Sequence, residues 1–185
     1  MATTHKRSQF IVREARGDAE LASCAALDHS CSTDYVWQMD AREENDHLLV
    51  RFRTVRLPRA MEVAYPRDGD SRARAGQQYD CFLVAVAGEI VLGYVNMRWD
   101  VARAGGWIHD LVVDKAFRRR RIGSALLEQA ARWATLRQSQ HLTLELQTRN
   151  YPGILFAQSQ GFAFCGFNDH YYANQDIALF FGKNL

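Results

Sequence analysis

Four consecutive arginines, at positions 118–121, stand directly before Ile122-Gly123-Ser124-Ala125. Apolar residues at 107–113 predict a buried strand before this run, and apolar residues spaced by three or four from Ile122 to Trp133 predict an amphipathic helix after it. A strand-to-helix turn directs unpaired backbone N–H groups at one point, where the helix dipole also favours an anion. Gly123 has no side chain to keep a phosphate from the backbone. The segment therefore predicts a phosphate or pyrophosphate site.

Other kinds of segment also contain four arginines, including a solvated basic turn, a nuclear-localisation signal and an RNA-binding patch. The position of the run between a buried strand and an amphipathic helix favours the phosphate site. The glycine spacing differs from that of a Rossmann cradle, and the Gly-Lys-Ser/Thr of a P-loop is absent from the sequence. A formal net charge of +2 and the lack of a series of stacking aromatics argue against a nucleic-acid partner.

The elements that must position this turn can be read from the hydrophobic pattern. Polar and apolar residues alternate at 141–148, which predicts a strand, and Gly88-Glu89 predicts the turn of a hairpin. The predicted strands are 10–13, 48–57, 80–87, 90–99, 107–113, 141–148, 162–167 and 176–181, and the predicted helices are 18–27, 122–133 and 151–160. This order predicts a mixed α/β sheet in a single domain, residues 1–185, with a mobile loop over 58–78.

Composition limits the class of protein. With 48% hydrophobic and 24% charged residues, the 185-residue chain is typical of a soluble globular domain. No apolar run approaches the ~20 residues of a membrane span, so no membrane partner is predicted. The four cysteines lie far apart and form no C-x-x-C pair, which argues against zinc and against a disulfide framework. Because the N-terminal residues contain no apolar signal core, we expect a reduced, cytoplasmic protein.

Two segments resemble the GNAT acyltransferase superfamily. Its pyrophosphate signature is Gln/Arg-x-x-Gly-x-Gly/Ala; Arg118 and Gly123 match the first and last positions, while Arg121 replaces the middle glycine. This replacement is tolerable if Arg121 keeps ordinary helical angles. Asn150-x-x-Gly153-x-x-Phe156 followed by Gly161-Phe162 resembles a second superfamily segment. The resemblance implies a single-domain GNAT-like fold, with a mixed, mostly antiparallel sheet, helices on both faces and a splayed central V.

Within the superfamily the sequence is most similar in appearance to streptothricin acetyltransferases, although His109 stands where those proteins usually have an acid. The similar pieces are residues 108–114, Leu144-Glu145-x-Gln147-x-x-Asn150, and a tail with Gly166-Phe167, Asp169, Tyr172 and 176–180. This similarity implies a small cationic amine as acceptor, and a homodimer is an option because look-alikes commonly form one.

The resemblance implies acetyl-CoA as co-substrate, with no metal. Its pantetheine arm would bond the backbone of Leu111, Val112 and Val113, and one of these N–H groups would polarise the thioester carbonyl. Asn150 would bond the same arm, with a helix N-cap as its alternative role. The pyrophosphate would bind Arg118, Arg119, Arg120, Arg121, Ile122, Gly123, Ser124 and Ala125.

The acceptor must react as a neutral amine. An amine of pKa ~10.4 is neutral in about one molecule in a thousand near pH 7.4, which corresponds to roughly 4 kcal/mol, and a carboxylate can help to remove its proton. Glu145, on the polar face of its strand, is the first candidate base, Asp110 the second and His109 the third. The alternatives are a solvent-facing residue for Glu145, a bulge cap or arginine partner for Asp110, and a structural histidine for His109.

The general acid of the superfamily, a tyrosine after Phe156, is replaced here by Ala157. Either the thiolate leaves without a tyrosine donor, or Tyr171 or Tyr172 supplies the proton, and Tyr172 is included among the candidate catalytic residues. Two other functions stay open: acetylation of a protein N-terminus or lysine, and a non-catalytic acyl-CoA-binding module that has lost the acid. Tyr35, Trp37 and Met39 either line the acceptor pocket or belong to the core.

Overall fold

The computed structural model describes residues 10–67, 79–100 and 104–185. In chain order the strands are β1 Ile11–Glu14, β2 Cys31–Glu44, β3 His47–Val63, β4 Cys81–Ala87, β5 Ile90–Asp100, β6 Gly105–Val113, β7 His141–Gln147, β8 Ala163–Asn168 and β9 Ala178–Asn184. The helices are α1 Gly17–Ala25, α2 Ile122–Thr135 and α3 Tyr151–Ser159, with a 3-10 turn at Lys115–Phe117. The chain divides into two compact units, the first with described residues 10–29, 79–100, 104–142 and 184–185, the second with 30–67 and 143–183.

The first unit contains four antiparallel strands in the order β1-β4-β5-β6. Gly88 has a φ of 61°, which lets the β4–β5 hairpin turn tightly at the position predicted from the sequence. Helix α2 packs its apolar face against β4, β5 and β6. That face consists of Ile122, Leu126, Leu127, Ala130, Trp133 and Ala134, all buried.

The second unit contains the β2–β3 ribbon, strands β7, β9 and β8 in that order, and α3. A cluster of aromatic rings packs together in this unit. The Trp37 ring lies 6.0 Å from Phe52, 5.9 Å from Phe164 and 5.8 Å from Phe181, measured between centroids. Trp37 itself is partly exposed, so these contacts show that its ring packs within this unit, and both interpretations of the 35–39 segment stay predictions.

The mixed α/β class with a mostly antiparallel sheet is confirmed, and the described residues form three helices. Strand β3 is longer than predicted, because it continues past residue 57 to Val63. The prediction of a mobile loop over 58–78 is therefore wrong for 58–63, and its 68–78 part lies outside the described residues, as do residues 1–9. The single domain over 1–185 stays a prediction. No helix within the described ranges is long and apolar enough to cross a membrane.

Candidate active site

The start of α2 has the geometry of an anion cradle. Arg121, the residue before the helix, has φ 64° and ψ 10°, the left-handed conformation that favours glycine. The condition under which the sequence would tolerate this replacement, ordinary helical angles at Arg121, is therefore not met. This arginine adopts the backbone conformation that the signature's middle glycine adopts easily, so the turn is formed despite the substitution.

Backbone N–H groups at this turn are available to a ligand. The first backbone hydrogen bond of α2 runs from the Ala125 N–H to the Arg121 carbonyl at 3.0 Å. The N–H groups of Ile122, Gly123 and Ser124 come before it and have no acceptor within the helix. Gly123, Ser124 and Ala125 are partly exposed. These features fit a pyrophosphate at a helix N-terminus.

The four arginines do not play equal parts. Arg118 is used by the protein itself: its Nε donates to the Val113 carbonyl at 2.9 Å, and a terminal nitrogen donates to the Asp28 carbonyl at 3.1 Å. The Arg120 guanidinium lies 5.4 Å from the centre of the Phe117 ring. Arg119, Arg120 and Arg121 are exposed. Arg118 thus fixes the turn to the end of β6, and the other three supply positive charge around it.

Strand β6 contains a β-bulge at His109. Asp110 pairs with Asn96 and Ile108 pairs with Met97, so His109 is the extra residue. Asn96 and Asp110 lock this irregularity: the Asn96 Nδ2 donates to the Asp110 carboxylate at 2.6 Å, and the Asp110 N–H donates to Asn96 Oδ1 at 2.9 Å. Asp110 is only 1% exposed. This geometry supports the bulge-capping role, and the role of Asp110 as base stays a prediction.

The predicted cofactor strand follows directly after the bulge. Leu111, Val112 and Val113 pair on one side with β5. Val112 is buried, whereas Leu111 and Val113 are partly exposed.

The imidazole of His109, the third candidate base, has two aromatic neighbours. The centroids of the Tyr79 and Trp107 rings lie 5.5 Å and 6.3 Å from the centroid of the imidazole.

Glu145 is the buried carboxylate of the second unit. Its side chain is 0% exposed, so the solvent-facing alternative is excluded. The Arg67 guanidinium lies 2.5 Å from Glu145 Oε1, and the Tyr171 hydroxyl donates to Oε2 at 3.1 Å. A carboxylate taken out of water needs such partners. Sequence reasoning missed Arg67, because it lies in the Pro- and Gly-containing stretch that was interpreted as a loop.

Glu145 affects the pKa values of both candidate tyrosines. Burial, and then the Glu145 charge, raise the pKa of Tyr172 well above its ordinary value. The same causes raise the pKa of Tyr171, whose hydroxyl also bonds the carboxylate. Both phenols are therefore protonated at neutral pH. Tyr172 is 6% exposed and Tyr171 is 41% exposed, so Tyr171 is the one more open to solvent.

The loop that carries the tyrosines is organised by Asp176, which is buried. Its carboxylate accepts from the side chains of Gln147 at 2.9 Å and Asn174 at 3.0 Å, and forms an ion pair with Arg149 at 3.0 Å. Its backbone carbonyl accepts from the N–H groups of both tyrosines. Asp176 thereby holds the tyrosine loop next to β7.

Asn150 caps α3, since its Oδ1 accepts from the Gly153 N–H at 2.9 Å. This is the alternative role that the sequence allowed, and contact with the cofactor stays a prediction.

The candidate residues are divided between the two units. Tyr171, Tyr172, Glu145 and Asn150 belong to the second unit, whereas Asp110 and the residues at 111–125 belong to the first. Within the described part of the chain, no group of three or more His, Cys, Asp or Glu residues is arranged to hold a metal ion.

Comparison with known proteins identifies the family. Residues 28–162 match the acetyltransferase (GNAT) family. A streptothricin acetyltransferase of Streptomyces lavendulae is 30% identical over 178 residues, covering 93% of this chain and 90% of that protein.

Two solved structures share the fold. The crystal structure of nourseothricin acetyltransferase has a TM-score of 0.80 at 24% identity, covering 95% of this chain and 98% of that one. A Bacillus anthracis protein described as a putative streptothricin acetyltransferase, in complex with acetyl coenzyme A, has a TM-score of 0.75 at 19% identity, covering 96% and 100%. With most of its length matched in sequence and in structure, this chain belongs to the GNAT acetyltransferase family.

Proposed function

We propose that the protein transfers the acetyl group of acetyl-CoA directly to a primary amine of a small cationic acceptor. Membership of the GNAT family makes it an acyltransferase, and acetyl-CoA is the donor that this family uses. The observation that carries the choice of acceptor is the fully buried Glu145 carboxylate, whose partner in this structure is a cation. The similarity to a streptothricin acetyltransferase over 93% of the chain supports the same acceptor class.

Acetyl-CoA, when bound, supplies an activated acetyl thioester. The N–H groups of Ile122, Gly123 and Ser124 would hold its pyrophosphate, with the charges of Arg119, Arg120 and Arg121 around it. Arg118 would act indirectly, by fixing the turn to β6. The backbone of Leu111, Val112 and Val113 would hold the pantetheine arm and donate to the carbonyl oxygen as charge develops there.

Glu145 would accept the proton that the amine loses, directly or through water. An acceptor that enters as an ammonium loses two protons on becoming an amide; a phenol would return one to the departing sulfur, and the other would pass to solvent. Tyr172 is the candidate from the sequence, and Tyr171 is supported by its hydrogen bond to Glu145 and its greater exposure. Asp110 is the weaker candidate base, because Asn96 already occupies its carboxylate.

The test is a CoA-release screen over polyamines, lysine and a streptothricin, together with peptides that carry a free N-terminus or lysine. We expect turnover with small cationic amines. Glu145→Gln should lower kcat by about 100-fold or more while acetyl-CoA still binds. Glu128→Gln, which alters an exposed carboxylate on α2 that pairs with Arg132, is the matched control and should leave kcat unchanged.

Other outcomes would redirect the proposal. Turnover on peptides alone would make the protein a protein N-acetyltransferase. Tight acetyl-CoA binding with no turnover on any amine would favour a non-catalytic acyl-CoA-binding module. Acetyl-CoA binding that survives Gly123→Trp unchanged would show that the pyrophosphate binds elsewhere. A cytoplasmic location and a homodimer stay predictions, as does the absence of nucleic-acid binding.

A further inference from the structure

The salt bridge between Arg67 and Glu145 joins two groups in different surroundings. Glu145 lies within β7, its side chain is 0% exposed, and the strand gives it little freedom to move. Arg67 lies outside regular structure, four residues after β3 ends at Val63, and its side chain is 21% exposed. The carboxylate is therefore the fixed partner, and the guanidinium reaches it from a more exposed position.

A stabilising role is a weak explanation for this pair. Removing a carboxylate and a guanidinium from water costs free energy that their attraction does not always recover, and an apolar pair of similar size often serves stability as well. What the arrangement ensures is that the buried carboxylate has a cation beside it. An acceptor ammonium has the same charge as Arg67 and can donate to the same oxygen.

We propose that Arg67 occupies the place of the acceptor's cationic amine and is displaced from Glu145 when the acceptor binds. This inference rests on the proposed function, because it assumes that Glu145 receives the acceptor. The Tyr171 hydrogen bond is on the other carboxylate oxygen, Oε2, and can persist during the exchange. Arg67 is then an internal competitor that sets the affinity for the acceptor.

The exchange also selects for charge. A neutral molecule that displaced Arg67 would remove a cation from a buried carboxylate without supplying another, which is unfavourable. A cationic amine keeps the charges balanced on entry and loses its proton only at the carboxylate. Because only the fraction of molecules with Arg67 displaced can bind the acceptor, the apparent dissociation constant exceeds the intrinsic one by the reciprocal of that fraction.

Arg67→Gln tests this directly in the full-length protein. The KM for a cationic amine should fall about 10-fold if roughly a tenth of the wild-type molecules have Glu145 accessible, and kcat should change by less than about 3-fold. Guanidinium chloride at low millimolar concentration should become a competitive inhibitor of the variant, with little effect on the wild type. Arg53→Gln, which removes an exposed arginine of β3 that donates to Gln38 Oε1, is the control and should change neither constant.

Binding provides a readout that needs no turnover. Spermidine should raise the Tm of Arg67→Gln more than that of the wild type, because it restores a counter-charge that the wild type already has. Tyr65→Phe is the second variant, useful if Arg67→Gln does not fold. The Tyr65 hydroxyl accepts from Arg67 at 3.4 Å, so its loss should lower KM in the same direction by a smaller factor.

An increase in KM, or a fall in kcat at unchanged KM, would overturn the proposal and make Arg67 a positioning residue for Glu145. Equal spermidine shifts in the two proteins would also overturn it. Failure of the proposed function looks different: the wild type would release no CoA with any amine. The binding comparison still decides the role of Arg67 in that case.

Discussion

Arg121 offers the sharpest test of the anion cradle, because the free-energy cost of its left-handed backbone conformation can be measured as a change in protein stability. A non-glycine residue in the left-handed region costs roughly 1–2 kcal/mol, and Arg121 has a φ of 64°. Arg121→Gly removes this cost but adds about 0.5–1 kcal/mol of backbone entropy lost on folding. The net expectation is a gain between about 0 and 1.5 kcal/mol, centred on about 0.75 kcal/mol. For a chain of 185 residues the central value raises Tm by roughly 1.5–3 °C.

Arg120→Gly is the matched control. Arg120 is also exposed, carries the same charge and does not have a positive φ. Both variants lose an arginine and the same glycine entropy, so the difference between them is the left-handed contribution, about 1–2 kcal/mol, together with the loss of the Arg120 contact with the Phe117 ring, about 0.5–1 kcal/mol at an exposed site. Arg121→Ala separates charge from conformation, since alanine keeps the strain.

Thermal and urea unfolding of the three variants, with acetyl-CoA titrations at low and high salt, form the assay. We expect Arg121→Gly to be the most stable of the three and to bind acetyl-CoA with the backbone cradle intact, showing a weaker salt dependence than the wild type. If Arg120→Gly and Arg121→Gly have equal stability, Arg121 does not stand in the left-handed conformation and the explanation of the turn fails.

Two further predictions concern stability. Gly93→Ala should lower the free energy of unfolding by at least about 1–3 kcal/mol, because the added Cβ would lie 2.5 Å from the Val112 carbonyl oxygen. Gly166→Ala is the control: its added Cβ would lie 3.7 Å from Phe180, so it should change urea unfolding little. Glu20→Gln should lower Tm slightly at pH 7, since the hydrogen bond from Arg13 lowers the pKa of Glu20 from its ordinary 4.5 to about 2. The lowered pKa of the Glu20 carboxyl in the folded state contributes stability above pH 4.5, and this contribution is lost as pH falls through about 2. The difference in Tm between Glu20→Gln and the wild type should therefore vanish near pH 2. A difference that stays constant with pH would contradict this assignment.

Most of the regular elements could be predicted because their signals are local, although strand β2, Cys31–Glu44, was not. Alternation predicted β7, the hairpin glycine predicted β4 and β5, and helical spacing predicted α2. The end of β3 was misplaced because Pro58 and the arginines after it suggested a loop. Pairing with β2 is interrupted at residues 57–60, between the Tyr35–Arg56 and Thr33–Met61 pairs, and then resumes as far as Cys31 opposite Val63, which extends the strand beyond Pro58. Strand pairing is a non-local interaction, and the local pattern does not contain it.

The partners of the site residues could not be predicted for the same reason. Nothing near Glu145 in the sequence indicates Arg67, which is 78 positions away. Asn96 and Asp110 are separated by 14 positions and meet only through the register of β5 and β6. Polar residues in otherwise apolar strands were the available signal. This signal identified Glu145 and passed over Asn96, although a buried polar side chain always requires a partner.

Ala157 also has a physical explanation. The residue is 0% exposed on α3, beside the equally buried Ile154, and its carbonyl accepts from the Phe162 N–H. A phenol at this position would need space that the core does not offer, because overpacking a filled core costs free energy. Under the proposed function, either the thiolate leaves without a tyrosine donor or the acid comes from another element. Tyr171 and Tyr172 are the tyrosines whose pKa values Glu145 raises. Both keep their protons at neutral pH, the state that a proton donor to sulfur requires. In the proposed reaction, the phenol that donates a proton to sulfur lies beside the carboxylate that accepts the amine proton, so this proton can pass on and restore the phenol. A GNAT protein with alanine at this position can therefore still complete the proton balance of the transfer.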